Sequence, residues 1–397
     1  MVKLSVIIVS YNVKYYLEQC LESVVRSSCG INTEIIVVDN NSQDGTVEYL
    51  TPKFRDVLFI ANKDNPGFAK ANNQAIKISK GEYVLLLNPD TILGEDVLSS
   101  CITFMDNNPL AGAMGVRMLH TDGSFALESR RGIPTPFTSF CKMSGLCKRF
   151  PKSHTFGRYY MQYLDENLPN QIEVISGACM FLRRTTLAKS GLLDEDYFMY
   201  GEDIDLSYRM LMTGQNNYYL PVSILHYKGE STNKTSYRYV STFYKAMLIF
   251  FKKHYGHYNI FLSWPIQCAI YMKGAVSFIK AKLFTRNTRH LSHTEYLRQF
   301  RFLLVSTGDN LEAMQHICEK HHLSYRMLDV PAGRGGTIDA QINTDGFNYV
   351  VFDSDLYSYK NILEFFRHCG MKKQKQPMIG TYSPVSDRIL TGDFIIN

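Results

Sequence analysis

Asp39 closes the apolar run EIIVVD, Asp90 closes YVLLLNPD, Glu202 and Asp203 open a helical pattern, and His226 ends YYLPVSILH. A carboxylate can accept the ring N–H of a pyrimidine base. A second can hold a divalent cation on a diphosphate, because magnesium and manganese favour oxygen ligands shared with phosphate. Each position alone also has a plainer explanation. Asn88-Pro89-Asp90 suits a turn, an acid at a strand end often caps a helix, and acids in a first helical turn suit the macrodipole. A lone histidine at a strand end is more often structural than a ligand. At about 100° per residue, Glu202, Asp205 and Arg209 share one face of a helix over 202–211, with Asp205 and Arg209 forming an i,i+4 pair. Asp203 points elsewhere, with Leu206 and Met210. It lacks an intrahelical partner, and an apolar wall there would raise its pKa toward the range of a general base.

The elements that must position these residues are legible upstream. LSVIIVS (4–10), EIIVVDN (34–40), VLFIAN (57–62) and YVLLLNPD (83–90) are short apolar runs separated by the helical patterns 13–27, TVEYL and 70–80. Strands apolar on both faces and spaced by helices predict a parallel sheet covered on both sides. In such sheets ligands bind beyond the carboxyl ends of the strands, where Asn12, Asp39 and Asp90 would sit together. The stretch 130–170 shows no clear period and carries Gly, Pro, Ser and basic residues, as a lid or binding loop would. Arg130 and Arg131 before it could pair with phosphates or stand as a solvated surface pair. Residues 254–272 contain no Lys, Arg, Asp or Glu but are flanked by lysines, which predicts an interfacial amphipathic segment over 256–284. A helix packed between domains or a true span are the alternatives.

From about residue 300 a second alternation, RFLLVST through ILTGDFIIN, predicts a smaller α/β domain. Its first loop, VSTGDNLEA, lacks a G-x-G-x-x-G fingerprint, so dinucleotide binding is unsupported and a structural or assembly role is expected. Asp353-Ser-Asp355 ends a strand there as a second Asp-x-Asp, for which structure is also the preferred explanation. The 397 residues suffice for two or more domains, and a formal charge of +6 from 43 basic and 37 acidic residues argues against a dedicated nucleic-acid binder. Nine cysteines lie as singletons without zinc-like spacing, pointing to a reducing compartment, and no secretion signal is read at the N-terminus.

The ordered set SVIIVSYN, IIVVDNNSQDGT, NPGFAKANNQAI, VLLLNPDT, SGACMFLRR, FMYGEDIDL and LHYKGES resembles family 2 glycosyltransferases of the GT-A fold, particularly the rhamnosyltransferase-like branch. The resemblance implies an α/β GT-A domain with a mainly parallel sheet over 1–255, a helical linker over 256–298, and an appended small Rossmann-like α/β domain over 299–397. It places Ser10, Tyr11, Asn12, Asp39, Asn41, Asn65, Gly67, Asn73, Asn88, Asp90 and Arg131 around the donor, and Gly177 and Ala178 on the acceptor side. Asp90 and His226 would hold Mg2+ or Mn2+, and Asp203 with Glu202 would be the catalytic acidic pair, Asp203 as base. Asn88 stands where most relatives carry the first acid of an Asp-x-Asp motif.

The implied activity is inverting transfer of rhamnose or another hexose from a dTDP- or UDP-linked donor to a hydroxyl of a lipid-linked saccharide. It would occur in the cytoplasm, peripherally on the inner face of a bacterial plasma membrane, with possible homo-oligomers and no nucleic acid. A sugar-nucleotide pyrophosphorylase would want a Gly-rich, basic loop after the first strand, where this chain has SYNVKYYL. A non-catalytic sugar-nucleotide binder or scaffold is the alternative that Asn88 keeps open.

Overall fold

The computed structural model describes residues 1–227, 237–255, 296–330, 338, 342–370 and 376–397. The first body contains β1 (Leu4–Ser10), α1 (Lys14–Ser27), β2 (Thr33–Asp39), α2 (Thr46–Leu50), β3 (Val57–Ala61), α3 (Phe68–Ile78), β4 (Tyr83–Leu87), β5 (Thr91–Leu93) and α4 (Val97–Asn107). It continues with β6 (Ala111–Leu119), α5 (Pro136–Ser144), α6 (Leu146–Arg149), β7 (Asn170–Ile172), β8 (Cys179–Arg183), α7 (Arg184–Ser190), α8 (Glu202–Met212), β9 (Asn216–His226) and α9 (Tyr237–Tyr255). Its nine strands form one sheet in the order β3-β2-β1-β4-β8-β6-β9-β5, with β7 on β9.

β1, β2, β3 and β4 are parallel, as the spacing predicts, and every residue of β1 is buried. Alternation does the sorting. Val6 and Ile8 pack toward α1 and α4, while Ile7 and Val9 pack toward α3 and α8. The other half of the sheet is mixed, because β8 runs antiparallel to both β4 and β6. The stretch 130–170 also holds more order than its lack of period suggests. Thr135 caps α5 by accepting from the Thr138 amide, Pro136 opens the helix, and Gly145 at φ +84° joins α5 to α6.

The second body contains β10 (Arg301–Ser306), α10 (Gly308–Lys320), β11 (Ser324–Asp329), β12 (Tyr349–Asp353), α11 (Tyr359–Gly370), β13 (Met378–Ser383), β14 (Arg388–Thr391) and β15 (Ile395–Ile396). Its sheet runs β11-β10-β12-β13-β14-β15, parallel through β13 and antiparallel beyond. At the end of β12, Asp353 is buried and accepts hydrogen bonds from the Ser306 hydroxyl, the Asn310 amide and the Asp355 N–H. Asp355 meets Arg26 at 3.4 Å. Both acids of the second Asp-x-Asp therefore have structural partners.

One apolar cluster runs across both bodies, joining Tyr16, Ile92, Leu225 and Tyr227 to Val350, Phe352, Ile362 and Phe366. Around it, one polar stripe of α1 docks on the second sheet. Tyr16 donates to the Thr391 carbonyl at 2.9 Å, Gln19 donates to the Thr381 hydroxyl, Tyr359 donates to Glu22 at 3.3 Å, and Arg26 donates to the Ser354 carbonyl at 2.6 Å. From the first body, Glu95 accepts the Tyr359 and Lys360 amides opening α11. Segment 256–284, proposed from sequence as interfacial, lies outside the described residues. Among the described residues no helix is long and apolar enough to cross a membrane.

Gly123 sits at φ +76° in the turn after β6, where an added Cβ would lie 1.8 Å from the Phe366 carbonyl oxygen on α11. Gly123→Ala is expected to destabilise the protein by at least ~2 kcal/mol, through overpacking and left-handed backbone strain. Denaturant unfolding followed by fluorescence measures this, and an unchanged midpoint would show that the bodies do not meet there.

Candidate active site

Parallel pairing sets the strand ends level. Ser10 of β1 is opposite Asp39 of β2, and Ile8 is opposite Leu87 of β4, so Asn12, Asp39 and Asp90 share the carboxyl edge. Asp39 is buried, and Ser42 donates to it twice, from its amide at 2.8 Å and its hydroxyl at 2.6 Å. Burial nevertheless raises its pKa against the pull of those bonds. Asn12 and Asn41 adopt left-handed backbone, φ 55° and 64°, a conformation asparagine tolerates. Asn12 accepts the Gln43 amide at 2.7 Å and donates its own N–H to Ser42 at 2.8 Å. Ser10 keeps a buried hydroxyl with no partner among the described residues, and Tyr11 is exposed beside it.

The second rim element is the turn into α3. Asn65 accepts from Asn40 at 3.2 Å and from the Gly67 amide at 3.1 Å. Gly67 has φ +96°, and a Cβ there would fall 2.6 Å from the Phe198 carbonyl oxygen, so the turn and the 193–200 loop meet backbone to backbone. Asn73 is buried and spends its amide on that loop, donating to the Leu193 carbonyl at 2.8 Å and accepting the Leu193 N–H at 3.1 Å. Asn73 thus holds the chain that leads into Glu202.

Asp90 and His226 are brought together by β5 pairing with β9, in which Thr91 lies opposite His226. His226 Nε2 is 3.4 Å from Asp90 Oδ1 and 3.3 Å from the Asn88 side-chain nitrogen. An oxygen and an imidazole nitrogen this close form a donor pair that a divalent cation can bridge. Among the described residues no cluster of three or more His, Cys, Asp or Glu could hold a metal. The pair fits a cation whose remaining positions are filled by phosphate and water.

Asp203 stands in the first turn of α8. Its carboxylate accepts from Arg131 at 2.5 Å and from the Gly177 amide at 3.1 Å, and its second oxygen accepts the Ile204 N–H at 2.8 Å. Arg131 also donates to the Ile175 carbonyl at 3.0 Å. Asn88 donates its N–H to the Ala178 carbonyl at 2.9 Å, so two adjacent residues, Gly177 and Ala178, connect Asp203 with the Asp90 turn.

Helical periodicity gives Asp203 no intrahelical partner, and the ion partner it has, Arg131, lies outside the helix. Its partner comes from 72 positions away, which no local pattern registers. The desolvated acid is its neighbour Glu202, 6% exposed, with one carboxylate oxygen buried and unpartnered among the described residues. Burial, reinforced by the Asp203 charge, pushes Glu202 up to about 8. Asp205 pairs with Arg209 at 2.8 Å as the spacing predicts, and also takes His254 at 2.7 Å and Lys253 at 2.9 Å, fastening α9 to α8. Sequence reasoning missed Ser42, Asn40 and Phe198; only the turn-forming DNNS pattern around Asp39 carried a signal for the first two.

The family model described as Glycosyl transferase family 2 matches residues 5–191. An N-acetylglucosaminyl-diphospho-decaprenol L-rhamnosyltransferase of Mycobacterium tuberculosis is 26% identical over 305 residues, covering 74% of this chain and 98% of that protein. The low-salt glycan biosynthesis hexosyltransferase Agl10 of Haloferax volcanii is 26% identical over 211 residues, 52% of this chain and 61% of that one. Among solved structures, the mannosyltransferase PcManGT of Pyrobaculum calidifontis, in complex with GDP-Man and Mn2+, aligns over 73% of this chain and 76% of its own with 17% identity and a TM-score of 0.43.

At neutral pH a protonated Glu202 in the fold faces an ionised one in the unfolded chain. Its contribution to stability is therefore complete below the ordinary value of 4.5 and lost as the pH rises to about 8. The thermal midpoint of the wild type should fall across that window more steeply than that of Glu202→Gln, whose neutral amide removes the titration. Identical slopes would mean that Glu202 is ionised in the fold.

Proposed function

From the premise that residues 5–191 form a glycosyl transferase family 2 domain, we propose that the protein is an inverting hexosyltransferase. It would move rhamnose or another hexose from a dTDP- or UDP-linked donor to a hydroxyl of a lipid-linked saccharide, at the inner face of a bacterial plasma membrane. The observation that carries this reading is the Asp203 carboxylate, oriented by Arg131 and the Gly177 amide and joined through Ala178 and Asn88 to the Asp90–His226 pair. The nature of the rhamnosyltransferase relative supports the sugar and the acceptor class.

An acceptor hydroxyl has a pKa far above 7, so attack needs a positioned base. As the acceptor oxygen bonds to the anomeric carbon, its proton passes to Asp203, and the carbon–oxygen bond to the diphosphate breaks with the electron pair leaving on the nucleoside diphosphate. Arg131 and the two amide donors fix which Asp203 lone pair faces the acceptor. Glu202, kept protonated by burial, adds no second negative charge beside Asp203. Asp39, with Ser10, Tyr11, Asn12 and Asn41, makes the base and ribose end of the donor site, while Asn65, Gly67 and Asn73 shape its wall. Asp90 and His226 would hold Mg2+ or Mn2+, which when bound neutralises charge gathering on the diphosphate.

Asp203→Asn should bind donor as the wild type does and release nucleoside diphosphate at least ~100-fold more slowly, as measured by mass detection across a panel of nucleotide sugars with a prenyl-diphosphate saccharide acceptor. Equal release from both proteins would remove the base assignment, and donor binding with no turnover by either would favour a non-catalytic sugar-nucleotide binder. If Asp90 and His226 share a cation, His226→Ala should raise the manganese concentration needed for half-maximal turnover by about tenfold. An unchanged manganese requirement would place the cation elsewhere.

A further inference from the structure

Resting on the lipid-linked acceptor proposed above, we infer that the face formed by residues 136–152 is the surface by which the protein docks on an anionic bilayer. From Pro136 to Lys152 the chain has four cations, Lys142, Lys148, Arg149 and Lys152, and no Asp or Glu. Within this stretch α5 is two-sided. Thr138 and Cys141 are buried, while Phe137 and Phe140, one turn apart, are 51% and 59% exposed. Phe150, just past α6, is 47% exposed.

The aromatic residues are not scattered. Phe156 touches Phe137 at 6.4 Å and Phe150 at 5.7 Å between ring centroids, tying them into one patch. Lys148 and Arg149 at the end of α6 and Lys152 just beyond it are all exposed. Single exposed apolar residues need no explanation, but phenylalanines gathered among cations with no carboxylate have the composition of an interfacial segment. Acidic headgroups answer the charge, and the rings reach the acyl boundary. A second copy of the chain is disfavoured, because a two-fold contact would set these cations against themselves.

Placement favours the same occupant. Pro136 is five residues from Arg131, the partner of Asp203, so no more than ~18 Å of chain separates the patch from the residue that faces the proposed base. Gly132 donates its amide to the Tyr159 carbonyl at 3.1 Å, and Arg158 is bonded to Glu173, so the segment is fastened to the site at both ends. A bilayer against this face would bring a lipid-linked hydroxyl to the Asp203 side of the cleft. This surface is separate from the 256–284 segment singled out in the sequence.

The test is co-sedimentation of the full chain with vesicles of phosphatidylcholine alone and of phosphatidylcholine with about one third phosphatidylglycerol, with no donor or acceptor added. The wild type should partition onto the anionic vesicles and weaken with salt. Both Phe137→Ser/Phe140→Ser/Phe150→Ser and Lys148→Gln/Arg149→Gln/Lys152→Gln should lower the partition coefficient about tenfold or more. If the serine variant loses its fold by thermal unfolding, the glutamine variant, altered only at exposed charges, decides. The inference is overturned if the wild type ignores anionic vesicles, or if a folded variant binds them as the wild type does. It is equally overturned if the patch instead supports a dimer that the serine variant dissolves. Vesicle binding by a protein that turns over no donor would sink the transferase proposal and leave the docking surface standing.

Discussion

The contact on which the site depends is the one between Arg131 and Asp203. Both side chains are largely withdrawn from water, at 13% and 14% exposure, and two acids stand side by side at the start of α8. Without a cation facing them, ionising Asp203 next to Glu202 would be costly. The guanidinium faces Asp203 while burial raises the neighbouring Glu202, so adjacent carboxyl groups with the same chain connectivity sit in different surroundings. The arginine comes from the start of the irregular stretch after β6, so the conformation of that stretch and the charge state of the acidic pair are linked.

Around this contact and along the strand ends the turns are held by short polar side chains and glycines instead of by large groups. Asn12 and Asn41 take left-handed backbone, Asn40 and Asn65 bond one another, and Asn73 grips the loop before α8. These amides satisfy backbone groups that turns leave open, which keeps the rim rigid without filling it. Gly67 and Gly177 serve closeness. At Gly67 a side chain would strike Phe198, and at Gly177 it would press at 3.3 Å on the Cβ of Asp203.

The second sheet bears on the first body through α1, the helix that follows the Ser10–Asn12 turn. Tyr16, Gln19, Glu22 and Arg26 recur at nearly helical spacing and all find partners in the C-terminal body. A polar stripe of this kind ordinarily faces water. Here it lies at the border of a shared apolar cluster, next to Tyr227, which donates to Gln19 at 2.9 Å and follows His226 directly. The second body thereby buttresses the strand end that carries His226, a structural role for a unit whose strand-end acids Asp353 and Asp355 already have partners, the first within its own sheet and the second in Arg26 of α1.

By itself the amino-acid order determined the elements and the edge. Continuous apolar runs between helical patterns specify parallel strands covered on both faces, and chain direction then forces Asn12, Asp39 and Asp90 to one rim, as found. The Asp205–Arg209 pair was equally legible, because it depends only on helix geometry. What tertiary structure decided were the pairings between distant segments: β8 entering antiparallel, His226 arriving beside Asp90 through β9, Arg131 reaching Asp203, and burial raising the pKa of Glu202. Periodicity reports which face a residue occupies but not what another part of the chain sets against that face, and desolvation and ion pairing depend on the second.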